Sequence, residues 1–267
     1  VLSVDGTTGL VTVNGNTTNA GGSTAIVLNL LGGNDSVSIA PGGLFTGGVT
    51  VLGGDSDASS DSVTATAKGA ATATLDFAAG TLAGIVGGNI SLSGVETLTL
   101  SGGDGVLNDY DVNNYGATTG LLRVTLNGGD TNNNDGDTVD ISMTGGPETL
   151  NYTSLSPSSA TMSRVEGGPT INVSGFNSAA GGLSVAGNGN VDAVNVIAPA
   201  GNDRIDVTRS GNNAVVTVVV NGNPTGGVVW VPIDFQITAG AANIDALSIQ
   251  GGLGNDRVVI DSTGGQL

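Results

Sequence analysis

Aspartate and asparagine gather in short glycine-rich stretches of this chain, and clusters so rich in oxygen suit a hard divalent cation. Ca²⁺ takes about six to eight oxygens in a flexible shell and accepts carboxylates and backbone carbonyls alike. The densest cluster is "DTNNNDGDTVD" at residues 130–140. There Asp130, Asn132, Asn134, Asp135, Asp137 and Asp140 surround Gly136 in nearly the order of a calcium loop, with the glycine one place late. Asp55, Asp57 and Asp61 form a looser set, as do Asp104, Asp109 and Asp111. Asp35, Asp203 and Asp256 each follow a Gly-Asn pair and precede an alternating apolar run, and the last of these corners opens with Gly251 and Gly252. All these residues except Gly136 and Asp111 are the candidate metal ligands. The same residue types also build turns, because Asn and Asp tolerate the left-handed region and bond back to the local backbone.

Other chemistries lack their residues. The chain has no Cys and no His, which removes thiolate metal sites, disulfides and the commonest general base. A carboxylate enzyme acting on polysaccharide needs paired acids, or an acid with a cation, in one cleft. Here Lys68, Arg123, Arg164, Arg204, Arg209 and Arg257 are dispersed, and Asp203-Arg204 and Asp256-Arg257 recur at one phase, as a structural ladder does. No enzyme is expected. Aromatic side chains that stack on sugars are few, and Trp230 reads as a wall plug rather than a ligand platform. Thr64, Thr66, Thr72, Thr74, Thr97 and Thr99 read as ordinary strand residues.

The elements that carry the acids read as strands. Phrases such as "IVLNLLGGNDSVSI", "VNVIAPAGNDRIDV" and "ALSIQGGLGNDRVVID" share one grammar: an alternating segment, a glycine break, an Asn/Asp corner and a second alternating segment. Period-two alternation marks half-buried strands, and imperfect repetition marks a solenoid, each coil burying its inward residues against its neighbours. With 47 Gly, 3% aromatic residues and 38% apolar residues, a thin interior of small and β-branched side chains is expected. The predicted fold is therefore all-β, a parallel β-solenoid of the β-helix or β-roll kind with Gly/Asn/Asp-rich corners. Tandem β-sandwich modules are the alternative, because "VTVNGNTT" and "VVVNGNPT" carry Asn-Gly hairpin turns. Residues 1–267 are read as one elongated unit. Pro147, Pro157 and Pro169 mark 143–180 as a lateral excursion, and 181–267 is a possible second subdomain.

Residues 251–259, "GGLGNDRVV", match the nonapeptide GGxGxDxUx, with Asp256 at the acidic position and Val258 at the apolar one. At this corner the chain resembles the repeats-in-toxin, or haemolysin-type calcium-binding, proteins. The resemblance implies Ca²⁺ held between stacked turns of a β-roll by turn carbonyls and the Asp carboxylate, in a protein secreted from the cell. "APAGNDRID" keeps Asp203 without the leading glycines, "GGNDSVS" keeps Asp35 in a shortened corner, and no two copies follow in tandem. The resemblance covers corners only.

A net charge of −17 repels nucleic acid and anionic membrane and attracts cations, and no apolar stretch is long enough to span a bilayer. The expected role is an extracellular or cell-surface structural protein, stabilised by calcium, that builds a surface layer, an adhesin stalk or a filament. The alternative is a calcium-dependent module that binds glycan or protein. Self-association is expected head to tail, with Val1 to Asp5 of one copy set against the segment from Arg257 to Leu267 of the next, because both ends alternate like interior strands.

Overall fold

The computed structural model describes the chain except residues 55–59, 68–71, 104–106, 118–119, 130–135, 157, 177–181, 188–191, 211–214, 222–232, 237–243 and 262–267. Among the described residues every regular element is a strand, and the strands form two twelve-stranded sheets. Sheet A contains β1 (Leu2–Asp5), β2 (Leu10–Val13), β3 (Asn16–Asn19), β5 (Ser36–Ala40), β7 (Ser62–Thr66) and β11 (Thr97–Ser101). It continues with β13 (Arg123–Asn127), β15 (Thr149–Ser156), β16 (Ser159–Arg164), β17 (Thr170–Ser174), β19 (Ala193–Ile197) and β23 (Ala246–Gln250). Sheet B contains β4 (Ala25–Asn29), β6 (Gly48–Leu52), β8 (Thr72–Asp76), β9 (Thr81–Ala83), β10 (Ile90–Ser93) and β12 (Asp109–Tyr115). Its remaining strands are β14 (Thr138–Met143), β18 (Gly182–Ala186), β20 (Arg204–Ser210), β21 (Val215–Asn221), β22 (Ile233–Gln236) and β24 (Arg257–Asp261).

Away from four antiparallel meanders, each strand is followed by one in the opposite sheet and pairs in parallel with its neighbours, as β5 pairs β7 and β12 pairs β14. The meanders are β1–β2–β3, β8–β9–β10, β15–β16–β17 and β20–β21–β22, and they contain all the antiparallel pairings described. Each inner meander follows one rule. Its first strand lies furthest from the preceding turn, the second returns, and the third pairs in parallel with a strand of that turn: β10 with β6, β17 with β13, β22 with β18. The Asn-Gly signal is realised in the β2–β3 turn, where Asn14 (φ 49°) and Gly15 (φ 84°) adopt the paired positive φ of a tight hairpin.

Alternation sets what is buried. Across sheet A, Val37, Val63, Leu98, Val124, Ile171, Met162 and Tyr152 stand in register and face inward, each buried, while the intervening Ser and Thr face out. Sheet B contributes the corresponding inward residues Leu75, Val112, Ile141 and Val185, and one continuous apolar cluster draws on both sheets. The large side chains lie inside too. Tyr110 and Tyr115 donate their hydroxyls to the carbonyls of Asn127 and Pro169 at 2.8 Å each, which satisfies the phenols in an otherwise apolar interior.

Two segments singled out in the sequence take defined places in the sheets. Residues 143–180 contain a sheet A meander; Pro147 and Pro169 fall outside β15, β16 and β17 and so remove no ladder hydrogen bond, and Pro157 lies outside the described residues. The segment Val1 to Asp5 offers no free edge to a neighbouring copy, since β1 is paired on one side with β5 and on the other with β2.

Candidate functional site

The residue immediately before the strand is the key position at the corners that open β5, β7, β12, β15, β19 and β20. Its carbonyl accepts the first N–H of the equivalent strand one turn on: Ser62 to Asp35 at 2.9 Å, Thr97 to Asp61 at 3.0 Å, Thr138 to Asn108 at 3.1 Å, Ala193 to Glu148 at 2.8 Å, Arg257 to Asp203 at 2.8 Å. Its own N–H has no strand partner at that point, and the acid of the next turn supplies one. Asp35 N–H donates to Asp61 Oδ1 at 2.8 Å and Asp61 N–H to Glu96 Oε2 at 2.7 Å. Asn108 N–H donates to Asp137 Oδ1 at 2.6 Å, Glu148 N–H to Asp192 Oδ1 at 3.1 Å, Asp192 N–H to Asp245 Oδ2 at 3.0 Å, and Asp203 N–H to Asp256 Oδ1 at 3.0 Å. These carboxylate-to-amide rungs clip successive segments of the chain together where it enters the parallel strands. Asp61, Asp137, Glu148, Asp192 and Asp203 are correspondingly buried. An amide hydrogen bond to a carboxylate is stronger than a neutral one, and a buried N–H left without it carries its full desolvation cost.

The Gly-Asn-Asp phrase has a further rung. Asn34 Oδ1 accepts from Ser60 N–H at 2.8 Å, and Asn202 Oδ1 accepts from Asn255 N–H at 2.9 Å. The Asn thus reaches forward to the next turn while the following Asp N–H is held by that turn's carboxylate. Gly254 (φ 146°) lies against the preceding turn so closely that a methyl group would overlap the Gly201 carbonyl, which explains the glycine. Corners 198–203 and 251–256 are distant in sequence and stacked in space. Gly252 approaches the carbonyls of Ala198 and Pro199, and Gly251 lies beside the Asp256 carboxylate.

Of the candidate ligands, Asp35, Asp61, Asp137, Asp203 and Asp256 belong to rungs. Asp109 and Asp140 lie on the outer face of sheet B with Asp111, where Thr138 donates to Asp109 Oδ1 at 2.8 Å and Thr74 to Asp111 Oδ2 at 3.3 Å. Asp111 and Asp140 are register partners. Burial pushes the Asp140 carboxyl above its ordinary range, and the charges of Asp111 and Asp109 add to the rise against a hydrogen bond from Ser184. Asp55, Asp57, Asp104, Asp130, Asn132, Asn134 and Asp135 lie outside the described residues, as does Trp230. Among the described residues no group of three or more acids converges as metal ligands.

Asp203 has the most cation-like setting. The residue is 2% exposed, its Oδ2 has no hydrogen-bond partner, and burial followed by the charge of Asp256 pushes its carboxyl above the usual range. No family model matches the chain, and no curated protein or solved structure is similar to it.

Glu96, Glu148, Asp192 and Asp245 are rung residues outside the candidate set. Each is a single acid directly before a period-two strand, as in "ETLTL" and "DAVNV", and that position is the signal that finds them. Glu148 also holds Arg164, whose Nη2 lies 2.9 Å from Glu148 Oε1 while Nη1 donates to the carbonyls of Gly116 and Gly167 at 3.0 and 3.3 Å. Arg164 and Glu166 are the charged side chains on a cavity of about 290 Å³ that is otherwise lined by Gly116, Leu121, Pro169 and similar residues. The guanidinium points into protein oxygens and leaves the cavity without a cation to present.

Proposed function

We propose that this chain is an acidic, extracellular structural protein of the β-solenoid type, a load-carrying unit of a surface layer, adhesin stalk or filament. The observation that carries this reading is the set of carboxylate-to-amide rungs, because it assigns the acids that otherwise resemble a binding site to holding one turn on the next. Parallel pairing between alternating strands of two sheets supports the wound reading. The described tyrosines are interior, so they form no aromatic platform for a glycan.

Calcium belongs to the proposal at one joint. The stacked corners at Asp203 and Asp256 supply two carboxylates, one with an orphaned buried oxygen, and the carbonyls of Ala198, Pro199 and Gly201 lie at the contact between the same corners, oxygens of the hard type that suits Ca²⁺. A cation there would offset both the burial and the charge of Asp256 that together raise the Asp203 carboxyl.

Melting the protein with calcium, with magnesium and with chelator tests the metal. Binding to the folded state alone stabilises it by about 2.7 kcal/mol at a hundredfold excess over the dissociation constant, so the melting temperature rises with calcium and much less with magnesium. Electron microscopy of the same samples tests the structural role. Compact, unassociated particles whose melting ignores calcium would sink both parts.

A further inference from the structure

The first meander differs from the other three in what its last strand touches. β10, β17 and β22 each pair in parallel with a strand of the preceding turn, and the next strand, in the other sheet, pairs with the following strand of that turn: β11 with β7, β18 with β14, β23 with β19. β1–β2–β3 has the same order, and β5 returns to β1 as β12 returns to β8, β19 to β15 and β24 to β20. Among the described strands, β3 and β4 lack the preceding turn. They stand at the ends of sheets A and B, and the opposite ends are β23 in sheet A and β24 in sheet B.

We propose that the partner of this head is the tail of a second copy of the chain, β3 pairing with β23 and β4 with β24, both in parallel. This rests on the structural reading above and replaces the contact through Val1 to Asp5. The sheet identities support it: a sheet A meander is preceded internally by an A strand and then a B strand, as β15–β16–β17 is by β13 and β14, and β23 and β24 come in that order. Inward side chains set the register. Val258 and Ile260 are 47% and 59% exposed, although Ile205 and Val207 beside them in the same ranks are buried. Setting Val258 beside Ile26 and Ile260 beside Leu28 continues those ranks into the next copy, as Val49 and Val51 continue them from Ile26 and Leu28. The corner rule then gives the Asp256 carbonyl the N–H of Ala25, as the Asp203 carbonyl takes that of Arg257. Sheet B supplies the apolar part of the contact, because the inward residues of β3 are Asn16 and Thr18, where β17 carries Ile171 and Val173 and β10 carries Ile90 and Leu92.

The chain has no cysteine, so a pair can be installed cleanly. Val27→Cys with Val259→Cys places thiols on outward positions that the register makes neighbours, and Thr99→Cys with Val259→Cys is the mismatched control. A short bismaleimide should join the matched variant into a ladder of covalent multimers and leave the control at least tenfold less linked. Two full chains fused head to tail, carrying Val259→Cys in the first and Val27→Cys in the second, should link internally. Ile260→Lys, at a position already exposed, should weaken association at least tenfold without lowering the melting temperature. Equal linking of matched and mismatched pairs, or no internal link in a fused protein that melts like the single chain, overturns the contact. The structural reading fails separately, through the calcium and microscopy results.

Discussion

Asp203 shows how one residue can serve architecture and store a penalty. Its backbone is part of a rung, its carboxylate is buried against Asp256, and its folded pKa lies above the ordinary value. A group raised on folding favours the folded state most at low pH, and that contribution is lost as pH climbs from the usual carboxylate range through the raised value. Asp203→Asn keeps the size and the rung and removes the titration. In chelator, the variant should match the parent near pH 3.5 and melt a few degrees higher at pH 7, the size of a change of about 1 kcal/mol in a chain of this length. Parallel pH profiles would remove Asp203 as the cause. Calcium should invert the comparison at pH 7, because the parent then gains a ligand that the variant lacks.

At the scale of elements, a rung joins two strands that neither local sequence nor strand propensity brings together. Asp61 is the central case, since its Oδ1 holds the Asp35 amide and its own amide is held by Glu96. Asp61→Ala should cost about 1 kcal/mol or somewhat more, the cost of leaving the part-buried Asp35 N–H unmet, while Asp61→Asn keeps an acceptor and should cost less. Urea unfolding of the two variants checks this, and equal losses would mean that the acid acts through charge alone. Much of this layer was legible beforehand: alternation located the strands, and the glycines with Asn and Asp located the corners. Sequence shows which oxygens cluster and not which amides lie opposite them, so it points to metal ligands and is silent about the rungs. The amide that Asp256 satisfies belongs to Asp203, 53 positions away. The meanders were obscured for a related reason, since a return strand such as β16 alternates just as a forward strand does, and its antiparallel sense depends on where the turn aims it.

On the scale of the whole molecule, twelve strands at about 4.8 Å spacing make each sheet roughly 53 Å long, far longer than any one strand, and its bonds lie along that length. Among the described residues, β3, β4, β23 and β24 end the two sheets with no further strand beside them, and a net charge of −17 keeps separate molecules apart until a contact or a cation offsets it. The rungs also impose a mechanical behaviour. Tension applied along the sheets loads the joints between turns in series, so turns should peel away one at a time, each releasing the chain between two successive rungs. Those loops are unequal: 26 residues from Asp35 to Asp61, 35 from Asp61 to Glu96, 44 from Glu148 to Asp192 and 53 from Asp203 to Asp256. Optical-trap extension should therefore show steps ranging from about 90 to about 185 Å at roughly 3.5 Å per residue, instead of one all-or-none rip. A molecule that yields in graded increments dissipates work while most of its length remains folded, a useful property in a tether.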